Sequence, residues 1–331
     1  MSYIKNILKV PALFWILRSC QKRQRRFMAD TLLPEIEDFK KTCDDSLTER
    51  DFNKITNYYG FAIPIIGEFY CVLRGRKITV SERTALMYLG GLTGLFDDFF
   101  DEKDTAEDHL KELISFPRVE LAKNSHEKLF IQFYLKGLER GNSEDIKKYL
   151  NVINEAQMLS KRQTNPNLSK DEIAYITEQK GGVSFWYYRS PLHGEMSEVE
   201  KDLLFKIGFL AQLENDIFDV YKDREQGIYT LANTTTSIGL LRVQYLRVLD
   251  DIYNLIHQLD FEPKNKERFS RLIAMIAARG LVCLHQYEKL EGKNGFDVSK
   301  YSRKELICDM GKSSNTIKLI RFYLKYSYKG K

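Results

Sequence analysis

The stretch Leu95-Phe96-Asp97-Asp98-Phe99-Phe100-Asp101-Glu102 sets an acidic cluster among aromatics at the end of a long apolar run. Read as helix over 81–101, it places Asp97 and Asp101 one turn apart on the same face, while Asp98 points about 100° away. Carboxylates held that close repel each other, and near a helix C-terminus the macrodipole disfavours negative charge further. A divalent cation reverses both penalties. Magnesium suits such a pair, because it takes oxygen ligands and is often held by one or two carboxylates together with a substrate's phosphates. The competing reading is a solvated acidic helix end that runs on through Asp104, Glu107 and Asp108.

Upstream of this stretch, Ser81 is the expected N-cap of its helix, and Gly90, Gly91 and Gly94 fall in the helix interior. Such glycines either allow a close helix approach or open room for a ligand. Asp51 to Leu73 carries Tyr58, Tyr59, Phe61, Phe69 and Tyr70 around Pro64, an aromatic set read first as core. Helical periodicity recurs near 30–44, 48–75, 81–102, 106–115, 118–140, 143–160, 170–188, 197–224, 236–259, 264–292 and 302–328. No alternating strand pattern and no repeat appears, which predicts an all-α helical bundle.

Downstream, an exposed run from Lys161 to Asn167 precedes Lys180-Gly181-Gly182-Val183-Ser184-Phe185-Trp186-Tyr187-Tyr188-Arg189. The glycine pair predicts a break in the helix, and the aromatics after it read equally as a cavity wall or as a kink with a buried Trp. The next helix, N-capped by Ser197, carries Asn215, Asp219 and Asp223 at i, i+4 and i+8, a stripe of oxygen donors over about 12 Å of helix axis with Lys222 beside it. Ile207, Leu210, Ala211, Phe218 and Val220 flank the stripe, so it is expected to look into the bundle, where two acidic faces from distant parts of the chain would confront each other across a core. A charged surface ridge is the competing reading.

The whole chain has 331 residues, 43% of them hydrophobic, with 7 Pro, 19 Gly and no low-complexity linker. These features predict a single domain over 31–331 behind a basic, amphipathic segment over 1–30. A net charge of +5 from 51 basic and 46 acidic residues is too balanced for a nucleic-acid groove. Five scattered cysteines without a C-x-x-C pair fit reduced thiols in the cytoplasm, and the absence of H-E-x-x-H and E-x-x-H argues against zinc hydrolysis and a ferritin-like di-iron bundle. The apolar run Val10-Pro11-Ala12-Leu13-Phe14-Trp15-Ile16-Leu17 is too short to span a bilayer. Together with the basic run after it, the segment is expected to be a capping helix packed on the body, with an interfacial amphipathic piece as the alternative.

Asp97-Asp98-Phe99-Phe100-Asp101 resembles the D-D-x-x-D motif of class I isoprenoid synthases, and Asn215-Asp216-Ile217-Phe218-Asp219-Val220-Tyr221-Lys222-Asp223 resembles their second metal motif. The Asn and Lys match the terpene cyclase form. Asp219 and Asp223 replace its Ser or Thr and Glu, which makes this half similar to the D-x-x-x-D of squalene and phytoene synthases, with Gly227, Gln212 and Gly182 also at their places. The resemblance covers roughly residues 80–325. It departs in the absence of an Arg near position 169, leaving Arg162 or Arg189 to sense diphosphate, and in the loose form of the C-terminal pair, Arg321-Phe322-Tyr323. No D-x-D-D marks a class II cyclase.

The resemblance implies an all-α terpenoid synthase bundle and a class I terpene synthase that ionises and cyclises a linear prenyl diphosphate. Three Mg2+ ions would be held by Asp97, Asp101, Asn215, Asp219 and Asp223. Lys222, with Arg189, Arg224, Arg321 and Tyr323, would meet the diphosphate. Phe100 and Trp186, with Phe96, Tyr58, Tyr59, Phe185 and Tyr188, would line the carbocation pocket. Two alternatives stand beside this reading: a head-to-head condensing enzyme, and a non-catalytic helical scaffold whose acidic faces bind Ca2+ or a basic partner. The expected partner is a small prenyl diphosphate, with a homodimer admitted, and neither nucleic acid nor stable membrane insertion is expected.

Overall fold

The computed structural model describes residues 2–101, 106–293 and 295–327, with side chains from residue 6 onward apart from that of Asp101. Among these residues the chain is helical and forms no strand. In order come α1 (Ser2–Asp30), α2 (Leu32–Lys40), α3 (Glu49–Asn53), a π-helix (Lys54–Tyr59), α4 (Gly60–Leu73), α5 (Val80–Asp101), α6 (Glu107–Ser115), α7 (Ser125–Arg140) and α8 (Ser143–Ser160). There follow α9 (Lys170–Arg189), α10 (Glu198–Phe218), α11 (Val220–Glu225), α12 (Leu231–Thr234), α13 (Ile238–Gln258), α14 (Pro263–Glu288), α15 (Arg303–Leu306) and α16 (Ser313–Tyr326). No described helix is long and apolar enough to cross a membrane.

The chain packs into two compact units. One draws on Phe14–Gln157 and Trp186–Glu195 and holds Asp97; the other draws on Met1–Leu13, Met158–Phe185 and Met196–Lys331 and holds Asp219.

In the Asp97 unit, α5 packs against α4 and α7. Leu86, Leu89, Leu92, Leu95 and Phe96 of α5 are buried, as are Leu129, Phe130, Phe133 and Tyr134 of α7. The N-cap of α5 is Thr79 rather than Ser81. Thr79 Oγ1 accepts from the Glu82 amide at 3.2 Å while Glu82 returns a carboxylate to the Thr79 amide at 2.8 Å, a reciprocal capping box that satisfies two orphan donors. Ser81 lies inside the first turn and donates to the Arg140 carbonyl.

The interior glycines of α5 serve close approach. A Cβ on Gly90 would fall 2.7 Å from the Tyr59 carbonyl oxygen, and one on Gly94 would fall 3.1 Å from the Tyr59 ring. The π-helix therefore lies directly on α5. Its departure from α-helical pitch precedes Pro64, which has no N–H to give the Gly60 carbonyl four residues back. Gln24 of α1 supplies that donor through Nε2 at 3.1 Å, and Arg83 in turn donates to Gln24 Oε1 at 3.0 Å. Cys20, Gln24 and Met28 of α1 share one buried stripe, which is how a capping helix packs.

In the Asp219 unit, α10, α13, α14 and α16 surround a core that includes Leu203, Leu213, Ile217, Tyr245, Ile252, Phe269, Leu272, Leu284 and Tyr287. Here the expected break at Gly181-Gly182 does not occur, and α9 runs straight through it. A Cβ on Gly181 would meet the Gly208 carbonyl oxygen at 2.2 Å, one on Gly208 would meet that of Gly181 at 2.1 Å, and one on Gly182 would strike the Phe205 ring. Both glycines are needed because α9 and α10 cross backbone to backbone. The expected helix over 197–224 is divided at Asp219 (φ −93°, ψ 11°), and the one over 302–328 is divided into α15 and α16.

Gly208→Ala forces two main chains apart, so the free energy of unfolding should fall by about 1–3 kcal/mol, read as a lower denaturation midpoint with the slope unchanged. A midpoint equal to that of the parent protein would show that the helices separate at no cost.

Candidate functional site

Asp97 is half-buried and held from two sides. Tyr59 donates its hydroxyl to Oδ2 at 2.8 Å and Gln157 of α8 donates Nε2 to Oδ1 at 2.7 Å. Desolvation, then the Asp97 charge, pushes the Tyr59 hydroxyl well above its ordinary pKa, so it remains a donor. Tyr188 donates to Thr93 one turn earlier on α5. Asp98, fully buried, points the other way as expected, forming an ion pair with Lys54 of the π-helix and lying 3.9 Å from His126 Nε2. Asp98 thus fastens the π-helix to α5. Asp101 ends α5, and its side chain lies outside the described residues, as does Glu102.

In the other unit, Asn215 is exposed, Asp219 intermediate and Asp223 buried. They do not form one uniform stripe looking inward: Asp219 sits at the turn between α10 and α11, although its amide still bonds the Asn215 carbonyl at 2.8 Å and the Asp223 amide bonds the Asp219 carbonyl at 2.8 Å. Ala211, expected beside a buried stripe, is exposed. Lys222 Nζ is exposed and lies 3.4 Å from Asp219 Oδ2. Gly227 adopts φ +67° and ends α11, with the Ile228 amide bonding the Asp223 carbonyl at 2.8 Å. This left-handed C-terminal cap gives the glycine after D-x-x-x-D a conformational reason.

The residue that spacing alone overlooked is Asp216. It is buried and accepts from Gln212 Nε2 at 2.8 Å and from Thr177 Oγ1 at 3.4 Å. Burial raises its pKa to about 6, with Gln212 and the nearby Lys180 opposing. Asp223 is raised to about 8 by burial and then by the charges of Asp216 and Asp219, with Lys222 and Lys180 opposing. Three carboxylates therefore feel one another in a half-dry setting. The available signal was Gly208, Gln212 and Asp216 at four-residue steps opposite Gly181 and Thr177, also four apart.

The remaining predicted residues are placed variously. Arg189 is buried and donates Nη1 to the Leu192 carbonyl at 2.7 Å and Nη2 to that of Gly194 at 2.8 Å, which shapes the loop after α9. Arg224 donates to the Val298 carbonyl at 2.9 Å, pairs with Glu225 and lies over the Tyr221 ring. Arg321 is exposed, whereas Tyr323 is fully buried, its hydroxyl pushed up to about 12 by burial. Phe100 lies 5.2 Å from Phe96, and Trp186 lies 6.0 Å from Tyr149, both rings partly accessible. Phe96 itself is core, packed on Phe99 and Phe130.

Carboxylates whose pKa values rise through burial and then through a neighbour's charge, as those of Asp216 and Asp223 do, have the chemistry a hard divalent cation relieves. No group of three or more His, Cys, Asp or Glu side chains converges as a ready metal cage among the described residues. Magnesium does not demand such a cage, since it commonly keeps water and substrate oxygens beside one or two carboxylates. Compared with known proteins, the chain matches no family model, no curated protein and no solved structure.

Two measurements follow from this geometry. Asp98→Ala leaves Lys54 partly buried without its partner and should cost about 3–5 kcal/mol of stability; a loss below about 1 kcal/mol would show that the pair does not hold the π-helix. For Asp216 and Asp223, raised folded-state pKa values mean that the folded protein binds protons the unfolded chain has released. That stability is present at low pH and is lost as pH rises through about 6 and about 8. Chelator-treated protein should therefore melt at progressively lower temperature between about pH 4 and about pH 8 and level off above that, and Asp223→Asn should flatten the upper part. A rising or level midpoint in the parent would contradict the assignment.

Proposed function

We propose that this protein is a magnesium-dependent class I terpene synthase that ionises a linear allylic prenyl diphosphate, releases diphosphate and closes the resulting carbocation into a ring. What carries the reading is the raised pKa of Asp223, due first to burial and then to the charges of Asp216 and Asp219, an accumulation of anionic oxygen at the sequence pattern Asn215-x-x-x-Asp219-x-x-x-Asp223. In the other unit, Asp97 is fixed by Tyr59 and Gln157 with its two oxygens oriented.

The metal-holding residues in this reading are Asp97 and Asp101 in one set and Asn215, Asp219 and Asp223 in the other. Bound magnesium would supply Lewis-acid neutralisation of the departing diphosphate. The chain's own part is orientation and exclusion of water. Gln212 and Thr177 hold Asp216 so that it supports the second set from behind. Lys222, exposed and among the described residues tethered only to Asp219, has the reach to meet an anionic oxygen. Phe100 and Trp186 offer accessible ring faces toward which a carbocation is attracted. Arg189 and Tyr323 are assigned to the scaffold, in view of their burial and, for Arg189, its carbonyl partners.

The pairing of Asp219 with Asp223 favours a second reading, a head-to-head condensing prenyl transferase of the squalene and phytoene synthase type. Product mass separates the two: a condensed product carries twice the carbon of its substrate, whereas a cyclised one carries the same number.

Purified protein with magnesium should release inorganic diphosphate from one of geranyl, farnesyl, geranylgeranyl or geranylfarnesyl diphosphate and yield a hydrocarbon identifiable by mass spectrometry. Asp97→Ala and Asp219→Ala should each lower that rate on the order of a hundredfold or more, with the fold intact by circular dichroism. Turnover that survives both substitutions, or that chelator leaves unchanged, would sink the reading.

A further inference from the structure

The outward side of α1 carries apolar surface that the fold does not cover. Leu8 is 71% exposed and Trp15 70%, and Pro11 and Ala12 between them are exposed as well. Arg18, Lys22 and Arg26 prolong the same stripe in steps of three and four residues, all exposed. Opposite them run the buried Asn6, Leu13, Cys20, Gln24 and Met28. The helix is thus gripped along one side and presents the other, apolar over about 10 Å of its axis and cationic over the next 12 Å or so.

The charge on this surface has one sign. No Asp or Glu occurs before Asp30. Arg23 pairs with Glu68 and Arg25 lies over the Phe61 ring, whereas Arg18, Lys22 and Arg26 form no ion pair among the described residues. A merely solvated helix face does not need an exposed Trp and Leu in register with such cations.

We propose that the outward face of α1 docks on an anionic lipid bilayer, with Leu8 and Trp15 entering the boundary between headgroups and acyl chains and Arg18, Lys22 and Arg26 meeting lipid phosphates. Trp is favoured at that depth, and a short amphipathic helix with a cationic end binds there without crossing. The membrane fits both halves of the stripe. A second copy of the chain would bring an equally acid-free face and leave the cations without counter-charge, and nucleic acid would leave Leu8 and Trp15 without an apolar partner.

Flotation of the 331-residue chain with vesicles of phosphatidylcholine, alone or containing phosphatidylglycerol, tests this and involves no turnover, so its result is independent of the enzymatic reading. The protein should float with the phosphatidylglycerol vesicles and be released by salt. Trp15→Ser should weaken partition about tenfold or more. Arg18→Gln and Lys22→Gln should weaken it about fivefold each, on anionic vesicles only. Equal partition to both vesicle types, an absence of salt response in the parent protein, or self-association that Trp15→Ser abolishes while no vesicles are bound would each overturn the proposal.

Discussion

Close contact between backbones, made possible by glycine, is the constraint on which both acidic clusters rest. In one unit Gly90 and Gly94 let the π-helix lie on α5, and the same contact brings Tyr59 to Asp97 and Lys54 to Asp98. In the other, Gly181 and Gly208 let α9 cross α10 main chain to main chain, and Thr177 consequently reaches Asp216. A carboxylate withdrawn from water needs donors within hydrogen-bonding distance. Ordinary helix packing at 8–10 Å or so leaves short side chains such as Thr too far away to provide them. The glycines cost helix propensity, roughly 1 kcal/mol each against alanine, and in exchange they fix where acidic oxygens are held.

The neighbouring carboxylates Asp97 and Asp98 show how one helix turn separates two duties. Asp98, on the far face, is consumed by the Lys54 pair and the nearby His126, a buried arrangement in which each charge depends on the other. Asp97 accepts from neutral donors, Tyr59 and Gln157, which orient it without cancelling its charge. The π-helix that makes this division is itself upheld from a distance, because Pro64 leaves the Gly60 carbonyl without its usual partner and Gln24 replaces it. Thus α1 does more than cover the surface: its inner stripe completes the backbone bonding of the segment that orients Asp97.

Around Asp219 the balance is electrostatic rather than steric. Asp216 and Asp223 are buried close to the half-open Asp219, so removing water and adding negative charge act in the same direction on the pKa values of Asp216 and Asp223. Lys180 and Lys222 only partly offset this. Such a group favours either protons or a multivalent cation, and which one it holds depends on pH and on what is supplied.

The amino-acid sequence by itself determined the helical class, most helix positions and the two acidic groups, since periodicity and local spacing are properties of the chain alone. It also gave the Asp97 and Asp98 divergence and the Ser197 cap, whose side chain accepts from the Glu200 amide. It misjudged Ser81 as a cap because the stronger Thr79–Glu82 box lies two residues earlier. It took Gly181-Gly182 for a break because a glycine's cost shows locally while the helix that justifies it lies elsewhere in the chain. Tertiary structure alone decided that Asp219 turns the helix, that Asp216 is buried, that Arg189 serves the Leu192 and Gly194 carbonyls, and that Gln157 orients Asp97. In each case the deciding partner approaches through packing, and packing is set by neighbours that no local pattern names.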